Sequence, residues 1–159
     1  MITVRPIRPG EAALLSSAVK HDPLLHEARA QLQREGRAVY LVAWNDDEPL
    51  GHGLLRLPPL PNVPHPQVED VPQVEDLLVA AGCRSRGIGT RLLGDLEQEA
   101  RRRGFDRISL AVGLTNVPAR RLYERHRYAD AGRGEFEIPG AAGGGKPDLC
   151  TALVKELAP

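Results

Sequence analysis

The residues that most invite a chemical reading are Arg84-Ser85-Arg86-Gly87-Ile88-Gly89-Thr90, set between an apolar stretch at 74–80 and a strongly periodic one that opens at Ile88. The start of a helix has N–H groups without internal partners and the positive end of the helix dipole, so it attracts anions. Gly87 and Gly89 let the backbone approach a ligand closely. Arg84, Arg86 and Arg91 surround that point with charge. The combination predicts a loop that holds phosphate. It is not a Walker loop, because Gly-Lys-Ser/Thr is absent, and it fails the dinucleotide fingerprint, because Leu92 stands where a third glycine is needed.

Four carboxylates, Glu69, Asp70, Glu75 and Asp76, crowd the segment before this loop. Alternation along a strand places Glu75 and Asp76 on opposite faces. His52, within Gly51-His52-Gly53, has a side chain that can titrate near neutrality, although a histidine in an apolar strand is more commonly packed. His65 and His126 are open to both readings. No His/Cys/Asp spacing points to a metal. Cys83 reads as a small gap filler, since no base is tied to it.

These residues need a frame. Ile2, Val4 and Ile7 suit a first strand over 2–8, and Glu11 to Val19 reads as a short helix using Leu14, Leu15, Ala18 and Val19. Asp22-Pro23 starts a second helix with Leu25, Ala28 and Leu32 on one face, and Gly36 stops it. Arg37 to Trp44 and Leu50 to Leu57 form a hairpin about Asn45-Asp46-Asp47-Glu48. The proline-rich stretch 58–72 must be irregular. It contains a short duplication, PQVEDV then PQVEDL, and only the second copy leads into an apolar strand, Val74 to Ala80. Ile88, Leu92, Leu93, Leu96 and Ala100 define a helix stripe that ends at Gly104. Arg101, Arg102 and Arg103 then complement the helix dipole. A strand at Arg107 to Val112 and a helix capped by Asn116 follow, with Ala119, Leu122, Tyr123 and His126 on one face. Strands at Tyr128 to Ile138 and Leu149 to Val154, joined by a Gly-rich turn at 140–145, complete a mixed α/β order.

Leu77-x-Val79, Arg84-x-x-Gly87-x-Gly89, then helix, strand and Asn116-x-x-Ala119-x-x-x-Tyr123-Glu124 together resemble the GNAT superfamily of acetyl-CoA-dependent N-acetyltransferases. The match spans residues 75–128. It implies one domain over 1–159, with a mostly antiparallel sheet of about seven strands flanked by about four helices. It also implies that Leu77, Leu78 and Val79 run along the pantetheine arm of acetyl-CoA. Arg84, Ser85, Arg86, Gly87, Ile88, Gly89 and Thr90 would hold its pyrophosphate, and Asn116, Ala119 and Tyr123 would lie near the pantetheine and the thioester sulfur. The sequence departs from the family where Tyr123-Glu124-Arg125-His126-Arg127-Tyr128 replaces the usual Tyr-Glu-Lys-x-Gly-Phe, so the exit from that helix is expected to differ.

Acetyl transfer to an amine needs three things: a base for the ammonium proton, a donor that polarises the thioester carbonyl, and an acid for the departing thiolate. Tyr123 is the expected acid and Glu75 the expected base, with Asp76, Glu69 and Asp70 as competitors. The resemblance implies that a backbone N–H near Leu77 to Val79 supplies the polarisation. The acceptor is a small-molecule or peptide amine. A catalytically inactive acyl-CoA-binding or regulatory module of the same fold is the alternative.

Composition narrows the class. Of 159 residues, 42% are hydrophobic and 26% charged, a balance suited to a globular chain. The 21 basic and 21 acidic residues cancel, which argues against nucleic acid or an acidic membrane surface as partner. No apolar run approaches the roughly 20 residues of a membrane span. Two widely spaced cysteines and no apolar signal core predict a cytoplasmic protein. A homodimer is compatible with the resemblance.

Overall fold

The computed structural model describes residues 1–19, 22–61, 68–138 and 147–158. His65, the start of the first PQVEDV copy and the Gly-rich turn at 140–145 lie outside these residues. The elements run β1 (Ile2–Pro6), α1 (Ala12–Ala18), α2 (Pro23–Arg34), β2 (Ala38–Asn45), β3 (Glu48–Arg56), β4 (Gln73–Val79), α3 (Ile88–Arg102), β5 (Arg107–Gly113), α4 (Val117–Arg125), β6 (Ala129–Ile138) and β7 (Asp148–Glu156). The strands form one seven-stranded sheet in the order β1-β2-β3-β4-β5-β7-β6. Every neighbouring pair is antiparallel except β4 with β5.

Local chemistry sets most boundaries. Asp22 Oδ1 accepts from Leu24 N at 2.9 Å with Pro23 at the first helical position, so α2 starts where the capping pair demands. Gly36 follows α2 in the left-handed conformation, at φ 73°. In α3, Ile88, Leu92, Leu93, Leu96 and Ala100 are all buried, as the stripe predicted. Each fully buried leucine there contributes about 1.5–3 kcal/mol.

Two apolar layers sandwich the sheet. On one side α3 packs on Val39, Leu41, Leu55 and Leu110, with Leu77, Val79, Ala119 and Tyr123 joining that core. On the other, Leu15 and Val19 of the first helical segment and Ala30 of α2 cover Tyr40, Val42, Trp44 and Leu54. Helix α2 departs from expectation here: Ala28 is exposed, and the residues that reach inward include His26 and Ala30. Gln33 bonds Ile7 O at 3.0 Å and Tyr40 N at 2.9 Å. Leu14, assigned to the α1 face, is 49% exposed.

The sheet is closely joined along β3–β4 and hardly at all along β4–β5. A Cβ on Gly51 would stand 2.7 Å from Leu78 O, so only glycine permits the approach of β4 at that point. Strand β4 pairs β5 only at Gln73–Ser109 and Val74–Leu110. Beyond Val74 the two strands part.

Candidate active site

That parting leaves the β5-facing edge of β4 from Glu75 to Val79 without a ladder partner on β5. In a sheet interior such an edge is an incomplete row of N–H and C=O groups, ready to bond an extended ligand. The gap runs toward the loop at 84–89. A short 3-10 turn, Ala81–Cys83, leads into that loop, and Arg84 Nε donates to Val79 O at 3.3 Å, tying it back to the end of β4. Ser85 and Gly87 both take positive φ, 66° and 75°. Gly87 is the residue immediately before α3. Successive turns of this kind aim backbone N–H groups into one concavity.

Gly87 and Gly89 serve different ends. Gly87 is required by its left-handed φ. Gly89 is not required by the fold: a Cβ there would meet Val79 Cγ2 at 3.7 Å and Leu122 Cδ2 at 3.9 Å, both ordinary contacts. The same two distances bring the end of β4, the start of α3 and the inner face of α4 to one place. Val79, Gly89 and Leu122 therefore share one neighbourhood, within the core that also takes in Leu77, Ala119 and Tyr123. Leu78 points to the opposite core, beside the α1–α2 side.

On α4, Asn116 Oδ1 accepts from Ala119 N at 3.3 Å and caps the helix. Tyr123 is 8% exposed, and burial raises its phenol above the usual value, so the hydroxyl keeps its proton near neutral pH. Its ring and that of Tyr128 meet edge to face at a centroid distance of 5.9 Å. Tyr128 N donates to Tyr123 O at 3.0 Å and Arg127 N to Glu124 O at 3.0 Å. This is a Schellman closure with Arg127 at φ 72° in the left-handed position. Here an arginine takes the position that favours glycine and bears the backbone cost.

The carboxylates correct the sequence expectation. Asp76 lies in the left-handed region, at φ 52°, and the β3–β4 register shifts between His52 and Leu54. This bulge puts two successive β4 residues against one of β3, so alternation fails. Glu75 and Asp76 both face the α1–α2 side. Glu75 Oε2 accepts from Arg56 at 2.9 Å, and Asp76 is paired with Arg29 of α2. His52 Nδ1 is 3.8 Å from Asp76 and fully buried, packed against the rings of His26 and Tyr40. His26 Nδ1 and the Tyr40 hydroxyl share a 2.7 Å hydrogen bond. His52 is thus the packed strand histidine that its apolar context favoured. Cys83 is half-buried against the α3 core. No cluster of His, Cys, Asp or Glu suited to a metal occurs among the described residues.

Sequence reasoning missed Arg29, Arg56, His26 and Tyr40 around the carboxylates, and Glu97, Tyr128 and Lys155 behind Tyr123. None has a spacing signal; each meets its partner only through the fold.

The sequence profile of the acetyltransferase (GNAT) family matches residues 11–128. The chain belongs to the GNAT acetyltransferase family. Its sheet is the GNAT fold, as solved structures also show. An N-acetyltransferase from Staphylococcus aureus has a TM-score of 0.76 at 15% identity, covering 99% of each chain. The ribosomal-protein-S18-alanine N-acetyltransferase from Escherichia coli has a TM-score of 0.76 at 14% identity, covering 100% of this chain and 96% of that one. A GNAT family acetyltransferase from Elizabethkingia anophelis with acetyl-CoA bound has a TM-score of 0.64 at 18% identity, covering 98% of both. No curated protein sequence gives a significant match. Among the described residues of this GNAT chain, no helix is long and apolar enough to cross a membrane.

Proposed function

We propose that the chain, acting as one domain over 1–159, transfers the acetyl group of acetyl-CoA to a primary amine of a small molecule or peptide, by direct attack in a ternary complex. The observation that carries this reading is the gap between β4 and β5, which ends at the loop opening α3. An extended pantetheine arm would complete the free edge of β4 at Leu77, Leu78 and Val79. The pyrophosphate would lie on the amides from Arg84 to Thr90, where Gly89 leaves open a space that the protein's own packing does not require it to leave. Asn116 and Ala119 would form the α4 side of the arm's site.

In this reading the amine nitrogen attacks the thioester carbonyl, a β4 backbone N–H steadies the developing negative oxygen, and the C–S bond breaks. The proton leaving nitrogen passes to Glu75, directly or through water, and Tyr123 gives its own to the thiolate sulfur. Burial of Tyr123 suits the role, because a neutral phenol is a donor at every pH below about 10. Glu75 and Asp76 are each paired with an arginine, so the acceptor side carries balanced charge, which fits a single amine better than a polycation. The E. coli neighbour, a ribosomal-protein-S18-alanine N-acetyltransferase, supports keeping peptide amines among the candidates.

The test is acetyl-CoA turnover over a panel of peptide N-termini, amino acids, aminoglycosides and polyamines. The reading expects release of free CoA thiol with at least one amine. Tight acetyl-CoA binding with no transfer to any of them would leave a binding module instead.

A further inference from the structure

Behind Tyr123 lies a polar group that the acetyl-transfer scheme does not use. Glu97 of α3 is 5% exposed, yet both its oxygens are engaged: Oε2 accepts from the Tyr128 hydroxyl at 2.9 Å and Oε1 from Lys155 Nζ of β7 at 2.7 Å. The Lys155 ammonium also stands 5.7 Å from the centre of the Tyr128 ring. Tyr128 is 3% exposed and is the residue whose backbone closes α4 on Tyr123 O. One tyrosine is thus fixed at both ends, by Glu97 at the hydroxyl and by the helix closure at the backbone, with its ring edge to face with that of Tyr123.

A buried ion pair is a poor means of adding stability, since desolvation offsets most of the attraction and apolar residues of similar size often do as well. What such a network supplies is a single geometry: a hydroxyl held by a carboxylate cannot swing, and the ring carrying it cannot tilt. A loose phenol costs far more in a transition state than in a folded core, because a misplacement of about 1 Å can cost about a hundredfold in rate. We propose that Glu97, with Lys155, is a positioning residue that acts through Tyr128 to hold the Tyr123 phenol at its working angle. This rests on the reading of Tyr123 as the acid.

The test is a double-mutant cycle in the full chain, with kcat and the KM for acetyl-CoA measured on the best amine of the panel above. Tyr128→Phe keeps the ring and removes the tether, and should lower kcat about three- to tenfold with little change in KM. In a Tyr123→Phe background the same change should have no further effect. Glu97→Gln, which retains an acceptor for the Tyr128 hydroxyl, should keep most of the activity. Glu97→Leu with Lys155→Met should lose as much as Tyr128→Phe while its melting temperature stays near wild type. In the CoA-bound chain, NMR of ring-labelled tyrosine should show faster flipping of the Tyr123 ring in the Tyr128→Phe variant. Equal effects of Tyr128→Phe in both backgrounds, or a lower melting temperature with unchanged kcat and ring motion, would overturn the positioning role while sparing Tyr123 as acid. If Tyr123→Phe itself leaves kcat unchanged, or no amine is turned over, the acid reading fails and the positioning role fails with it.

Discussion

On the α3–α4 side of the sheet the candidate site is made of backbone: an unpaired edge of β4, the amides opening α3 and a glycine at φ 75°. On the α1–α2 side it is made of side chains. Glu75 is held by Arg56, Asp76 by Arg29, and His52 packs between the His26 and Tyr40 rings. Backbone sites are built from consecutive residues and tolerate few residue types, so they leave a motif. Side-chain sites are assembled from distant positions and leave none. The difference predicts that the two sides can be broken separately.

The largest expected effect is on the backbone side. Gly87→Val places a β-branched residue in the left-handed region, which costs about 1–2 kcal/mol locally, and moves the amides proposed to face the pyrophosphate. Displacement of about 1 Å in such a cradle is worth roughly a hundredfold, so calorimetric titration should show CoA binding weakened at least about that much. The chain should stay folded by circular dichroism, with its melting temperature lowered by about 2–8 °C.

Next comes the side-chain half. Asp76→Asn keeps the shape at the bulge but leaves Arg29, mostly buried, without its counter-ion. The loss should be about 1–3 kcal/mol in chemical denaturation. It should raise the acceptor KM while CoA affinity stays within a few-fold. A weakened CoA affinity instead would mean that the two sides are one unit.

The alkaline limb of stability draws on both sides. Burial, the largest cause in each case, raises the phenols of Tyr40, Tyr123 and Tyr128 above the usual tyrosine value. Glu97 raises Tyr128 further. The unfolded chain therefore releases these protons first. Their contribution is intact below about pH 10 and is lost as pH rises through the folded values, so the melting temperature should fall with increasing pH in that range. Tyr40→Phe and Tyr128→Phe should each flatten part of the fall.

The smallest effect is expected at Arg127. Glycine takes its φ of 72° without strain, so Arg127→Gly should raise stability by about 0.5–1 kcal/mol, after the entropy that glycine loses on folding. Activity should be unchanged, because the closure on Tyr123 O is already made.

The same division explains what could be read beforehand. The α3 stripe, the Asp22 and Asn116 caps and the Arg84-x-x-Gly87-x-Gly89 loop are local patterns, and each appears in the fold where the pattern put it. The facing of Asp76 was not legible, because strand alternation assumes a regular ladder and the bulge at Asp76 breaks it. The inner face of α2 was misread because hydrophobic periodicity cannot register a face that includes a buried histidine and a half-buried arginine. Glu97 sits within the α3 stripe, but its partners are 31 and 58 residues away in sequence, and only the packing of α3 on Tyr128 and β7 brings them together.

In the proposed function, the free edge of β4 and the opening of α3 together form the acetyl-CoA site. Amide hydrogen exchange of the full chain with and without acetyl-CoA tests it most directly. New protection should concentrate at residues 75–79 and 84–91, with α1 and β1 unaffected. Protection elsewhere, with exchange at 75–79 unchanged by saturating acetyl-CoA, would contradict it.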